Sequence, residues 1–172
     1  MVTKLSSRMP GTFGVQLLEA QVTRAEGRIR EALEMLAALY IQAPSATLAL
    51  QLADGHAAAG AWAEAESWFS EAMTRQPNSA DAMAGLVQAT RRNGDTAHAQ
   101  ALADRFLEIY PDHARIALVR AEMLHQSGRL NEAHEAAEAG LVRMPRSAWA
   151  QTLSAQILWE LGRPNEAIER LQ

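Results

Sequence analysis

Three residue types recur along this chain at a single spacing. Gly60, Gly94, Gly128 and Gly162 lie 34 residues apart, as do Pro77, Pro111 and Pro145, and Ala65, Ala99, Ala133 and Ala167. The three series keep a fixed phase, and an earlier copy (Gly27, Ala32, Pro44) follows it with a one-residue slip. A period of this length marks an array of supersecondary units. Each unit is too small to bury its own apolar face, so neighbours must stack.

Each mark has a physical role. The glycine closes about fourteen residues of helical pattern, because it tolerates the left-handed conformation that ends a helix. The alanine lies five residues later in a second helix, where a methyl group lets the two helices of a hairpin approach closely. The proline ends that second helix, having no N–H to donate. Residues able to cap the next helix follow it: Ser45, Ser79, Asp112 and Ser147. Pro164 suits the first turn of its helix. The pattern predicts helix pairs at 12–26 and 29–42, 46–59 and 62–75, 80–93 and 96–109, and 114–127 and 130–143, then a helix at 148–161. The expected organisation is an irregular leader at 1–11 and a repeat domain at 12–172. Its units run about 13–45, 46–79, 80–113, 114–147 and 148–172, four full repeats plus a truncated fifth.

Composition narrows the chemistry. The net charge is -4 and the pI about 5.7, without the basic footprint of a nucleic-acid binder. Of 16 basic residues only Lys4 is lysine. The absence of cysteine excludes disulfides, thiolate metal sites and cysteine nucleophiles. The first residues contain no apolar stretch of signal-peptide length, and no apolar run reaches membrane-spanning length. The compartment, cytoplasmic or periplasmic, stays open. His56, His98, His113, His125 and His134 form no HExxH motif and no i, i+3 or i, i+4 pair. There is no Walker loop and no GxSxG. No catalytic residue, metal ligand or cofactor site is therefore expected, and the chain reads as a non-enzyme.

The pattern resembles the tetratricopeptide repeat family, over roughly residues 13–172. The second unit carries the resemblance best, with Leu52-Ala53, Gly60, Trp62, Ala65, Phe69, Ala72 and Pro77. Departures occur in the first helices. The family's aromatic is replaced by Gln16, Ala49, Met83, Ala117 and Gln151, and its tyrosine by Thr23, His56, Thr90, Leu124 and Leu158. Glu19, Arg120 and Ser154 occupy a leucine position. The related pentatricopeptide class has 35-residue repeats and reads RNA; the strict 34-residue spacing and acidic charge argue against it.

The resemblance implies an all-α, right-handed solenoid whose first helices line a concave groove that holds a protein or peptide partner. The groove positions implied are Arg24, Gln88, Arg91, Arg92, Arg115, Glu122, His125, Trp149 and Trp159, beside Gln21, Leu50, Asp54, Gln126, Gln156 and Glu160. Arginine and tryptophan are enriched at binding hot spots. The alternative for Arg91 and Arg92 is pairing with nearby carboxylates; for Trp149 and Trp159 it is packing against a further repeat. Trp62, Trp68, Phe69, Phe106 and Tyr110 are read as core. Arg120, at a position the family fills with buried leucine, must snorkel or find a carboxylate, and a pairing across units would set the register of the stack. The expected function is a bacterial protein–protein interaction scaffold, with no nucleic acid partner and no direct membrane insertion. The alternative is a regulatory or substrate-recruiting segment of a larger enzyme or secretion or assembly protein. The open face at 148–172 is expected to make the chain self-associate.

Overall fold

The computed structural model describes residues 11–172, and ten helices occur among them with no strand. The helices are α1 (Phe13–Ala25), α2 (Ile29–Gln42), α3 (Ala46–Ala58), α4 (Trp62–Arg75), α5 (Ala80–Arg92), α6 (Thr96–Ile109), α7 (Ala114–Gln126), α8 (Leu130–Arg143), α9 (Ala148–Glu160) and α10 (Pro164–Arg170). They follow the predicted pairs to within a residue at each end. The leader expected at 1–11 lies, apart from Gly11, outside the described residues. The chain divides into two compact units, one ending at Ala89 and the other spanning Thr90–Gln172, with the boundary inside α5.

The turn chemistry repeats as the spacing implies. Gly60 has φ +75°, its N–H bonds the Ala57 carbonyl and the next N–H, of Ala61, reaches back to His56. This pair of bonds satisfies carbonyls that the helix end leaves without partners. Gly128 does the same with His125 and, through Arg129, Leu124. At the other end of each hairpin, Gln76, Tyr110 and Met144 have φ between -125° and -138° and ψ between 57° and 86°. Each precedes a proline, whose ring disfavours the helical conformation there.

The caps hold one correction. Ser45, Ser79 and Ser147 accept from the backbone N–H three residues on, at 3.2, 3.3 and 3.3 Å. In front of α7 Asp112 does not cap. His113 does, its Nδ1 accepting from the Ile116 N–H at 3.3 Å, while Asp112 pairs with Arg143 at 2.7 Å. His113 stands 34 residues from both Ser79 and Ser147, so the period outranks residue preference: a ring nitrogen in register does what a carboxylate one residue away cannot.

The periodic alanines lie in the core. Ala65, Ala99 and Ala133 are fully buried, and Ala32 and Ala167 nearly so. In the first unit Ala20, Leu36, Leu39, Leu48 and Leu52 form one cluster, with Trp68 packed against it. Each fully buried leucine contributes about 1.5–3 kcal/mol. Phe69 and Phe106 are core residues as expected. Trp68 is partly buried in the core, and Trp62 and Tyr110 keep part of their surface exposed. Gly85 is small for a reason: a Cβ there would lie 2.2 Å from the Phe69 ring.

The first unit also has a polar tie. The Tyr40 hydroxyl on α2 donates to Glu71 on α4, and Arg75 Nε donates to Tyr40 at 2.8 Å and to Glu71 at 2.7 Å. The Arg75 guanidinium also lies 5.3 Å from the centre of the Tyr40 ring, and that ring meets Trp68 edge-on at 4.9 Å. The Tyr40 hydroxyl and then the Arg75 guanidinium hold the Glu71 carboxyl below the usual carboxylate range. Burial and the bond to Glu71 push the Tyr40 hydroxyl up.

This packing makes two predictions. Gly85→Ala should lower unfolding stability by about 1–3 kcal/mol, because the buried ring must move, whereas Gly14→Ala, with nothing within 4 Å of its Cβ, should cost nothing; urea titrations of both check this. Glu71 is depressed in the folded state, so the unfolded chain binds more protons and the tie's contribution is present above the ordinary carboxylate pKa and fades as pH falls through the folded value. The stability difference between wild type and Glu71→Gln should therefore shrink below about pH 4; a difference constant from pH 7 downward would contradict it.

Candidate functional site

In the second unit the 34-residue period places the same positions of α5, α7 and α9 within reach of one another. Arg91 donates through Nη1 to Gln126 at 3.0 Å and through Nη2 to Glu122 at 3.2 Å. Its side chain is only 8% exposed and that of Glu122 21%. One repeat on, His125 Nε2 lies 2.9 Å from the Glu160 carboxylate. Arg91 to Gln126 and His125 to Glu160 are both separations of 35 residues, so one contact geometry is used twice. The result is a polar ladder between successive first helices. Its spacing follows from the sequence; the occupancy of its rungs does not, because each rung depends on which side chains meet.

The expected site residues fall into distinct roles. Arg91, Glu122, His125, Gln126 and Glu160 form the ladder. Arg92 and Arg115 are exposed, and Trp149 and Trp159 are 41% and 64% exposed. Arg24 and Gln88 belong to the first unit and are partly exposed. For Arg91 the structure supports the carboxylate-paired alternative: its cation is neutralised within the protein, and only its Nε is buried without a hydrogen-bond partner.

Arg120 resolves in the same way. Its Nε donates to Asp104 on α6 at 2.6 Å, a pairing between successive repeats. One period later Ser154 donates to Glu138 on α8 at 3.0 Å. Two of the three leucine positions that depart from the family pattern, Arg120 and Ser154, thus hold a polar contact to the preceding second helix. Glu138 also accepts from Arg170 at 2.8 Å. Elsewhere Arg129 and Arg163 pair with Glu132 and Glu166 within their own helical turns. Hydrogen bonds from those arginines hold both carboxyls below the usual range. Such exposed pairs add little stability.

Sequence reasoning expected an open face at 148–172 but did not name the groove on it. α9 and α10 leave an apolar groove of about 460 Å³ lined by Thr152, Ala155, Gln156, Trp159, Glu160, Ala167, Ile168 and Leu171. The available signal was a comparison with the preceding repeat, where His134 and Ala137 stand in place of Ile168 and Leu171. Among the described residues no cluster of His, Asp or Glu is arranged to hold a metal ion, and no helix is long and apolar enough to cross a membrane.

Known proteins share this fold. Two family models, both described as tetratricopeptide repeat, match residues 17–80 and 56–123, together more than half of the chain. A curated relative, cellulose synthase operon protein C of Xanthomonas axonopodis pv. citri, is 28% identical over 163 residues, covering 88% of this chain and 11% of that protein's length. A tetratricopeptide repeat protein from Parabacteroides merdae superposes with a TM-score of 0.75 at 16% identity, over 98% of this chain and 68% of its own. A thermophilic repeat protein of Thermus thermophilus gives 0.74 at 18% identity, over 92% and 88%. YrrB, described as having an unusual peptide-binding site, gives 0.62 at 16%, over 98% and 88%.

The ladder makes a prediction that separates its members from the exposed arginines. Arg91→Ala strands a half-buried carboxylate and should cost about 1–3 kcal/mol of stability, whereas Arg92→Ala, on an exposed side chain, should change it by less than about 0.5 kcal/mol. Equal losses in thermal or urea unfolding would contradict a ladder centred on Arg91.

Proposed function

Because the chain belongs to the tetratricopeptide repeat family, we propose that it is a protein-interaction scaffold that takes a segment of a partner protein on the first-helix face of its second unit. Repeats of this family generally mediate protein–protein interaction, and the fold is typically non-catalytic. The observation that carries the choice of face is the ladder. Arg91, Glu122, Gln126, His125 and Glu160 are held by one another, so the surface they form is ordered before any partner arrives, which lowers the entropic cost of binding. Exposed Arg92, Arg115, Trp149 and Trp159 supply cationic and aromatic anchors beside it. That combination suits a helical or extended segment with acidic and apolar side chains.

A second reading is favoured by one observation. The matched stretch makes up 11% of cellulose synthase operon protein C, so the chain also fits the role of a recruiting segment within a larger assembly or secretion protein. Self-association through the α9–α10 groove is a further part of the proposal.

The test uses the 172-residue chain as affinity bait in source-cell lysate, beside Arg92→Ala/Arg115→Ala. These exposed positions lie outside both the ladder and the lining of the α9–α10 groove. A partner captured by wild type, and bound at least about tenfold more weakly by the variant in titration calorimetry (about 1.4 kcal/mol), is the expected result. Equal affinity of both baits for the captured partner would place recognition elsewhere and overturn the assignment of this face.

A further inference from the structure

The groove between α9 and α10 has a filled counterpart one repeat earlier. Thirty-four residues before Ala155, Ala167 and Leu171 stand Ala121, Ala133 and Ala137. Those three are buried in one cluster with Leu153 and Ile157 of α9. α9 is therefore seated on the α7–α8 pair by two apolar residues four apart, one turn of helix. The α9–α10 groove repeats this frame with a more apolar lining. Trp159 stands at the position of His125, Ile168 at that of His134 and Leu171 at that of Ala137. These three side chains are 64%, 52% and 61% exposed. Apolar surface of this kind, contiguous and shaped for a helix, marks an association site.

The chain itself contains the matching helix. Allowing for the one-residue slip of the first repeat, Leu18 and Val22 of α1 occupy the positions of Leu153 and Ile157, and both are partly exposed. Among the described residues no helix pair precedes α1. The polar positions match as well. On the ladder, the twelfth position of a first helix (Arg91, His125) meets the ninth or thirteenth position of the next (Glu122, Gln126, Glu160). Carried one period on, bulky Trp159 would meet Gln21 and Ala25 of α1, and the small Ala25 leaves room for the indole. Asp104 and Glu138 bond the seventh position of the next first helix, Arg120 and Ser154. Their successor is Gln172, and the seventh position of α1 is Glu19. An amide can donate to that carboxylate, where the acid of the two preceding repeats would repel it.

We propose that the α9–α10 groove binds α1 of a second copy of this chain, joining copies head to tail in the register of the repeat. The contact is heterologous, so each copy keeps one open α1 and one open groove, and assembly grows with concentration. The inference rests on the proposed self-association, not on the partner-binding face.

Sedimentation velocity and light scattering on the 172-residue chain test it. Wild type should exceed its 18.8 kDa mass progressively as concentration rises. Val22→Glu, which spoils α1, and Leu171→Glu, which spoils the groove, should each be monomeric with unchanged helical circular dichroism. Mixed together they should form a heterodimer and nothing larger, since each retains one intact end. Gln172→Glu should weaken association about two- to fivefold through repulsion of Glu19. Adding Glu19→Arg should restore it by recreating the Arg120–Asp104 arrangement. If wild type stays monomeric, self-association and the α1 assignment both fail. If wild type associates and Val22→Glu associates equally, self-association stands and α1 is overturned as the occupant. A mixture of the two variants that remains monomeric also overturns it.

Discussion

The seating of each first helix in the groove of the preceding hairpin is the contact on which the rest of this structure depends. A hairpin of two thirteen- or fourteen-residue helices cannot bury its apolar face alone. Within the second unit, Leu153 and Ile157 close over Ala121, Ala133 and Ala137, and Leu118 and Leu141 close over Ala150. The small residues matter as much as the large ones. Gly140 shows the limit: a Cβ there would lie 2.5 Å from the Leu118 side chain, so that leucine packs directly on the glycine of the facing helix. Dense contact of this kind carries the stability, and the polar groups are arranged around it.

Those polar groups set register instead. Stacked apolar faces tolerate sliding, whereas a directional bond at a fixed repeat position does not. Arg120 to Asp104 and Ser154 to Glu138 join the same two positions in successive repeats. Arg91 to Gln126 and His125 to Glu160 do so on the neighbouring stripe. The first unit uses a different device, the Tyr40, Glu71 and Arg75 cluster with Trp68 packed beneath. The ladder also explains why Arg91 is a poor choice for probing recognition: removing it disturbs the stack before it disturbs a partner.

Much of this was legible in the sequence because the constraints are local. Glycine at a left-handed turn, proline after a helix and alanine at a close approach act on their own neighbours, so Gly60, Pro77 and Ala65 marked the helix boundaries nearly to the residue. The capping error at Asp112 arose where residue preference was weighed above period, and His113 in register was the answer. Pairings were less legible because they depend on contacts 16 to 35 residues apart: Arg120 could be recognised as needing a partner, but Asp104 could not be named. The open face at 148–172 was expected, but the lining of the α9–α10 groove was hidden for a related reason. Exposure depends on what lies opposite a residue, and only comparison of Leu171 and Ile168 with Ala137 and His134 marks the lining as unusual.

If stacking is what holds each hairpin, protection should fall where a hairpin has no neighbour over it. Hydrogen exchange on the dilute 172-residue chain measures this directly, by comparing α8, covered by α9, with α10. Amides of α10 should exchange far faster than those of α8 and become protected as the groove is filled. Equal slow exchange in the two helices of the dilute chain would mean that a hairpin is stable without a neighbour, and would contradict the dependence on stacking.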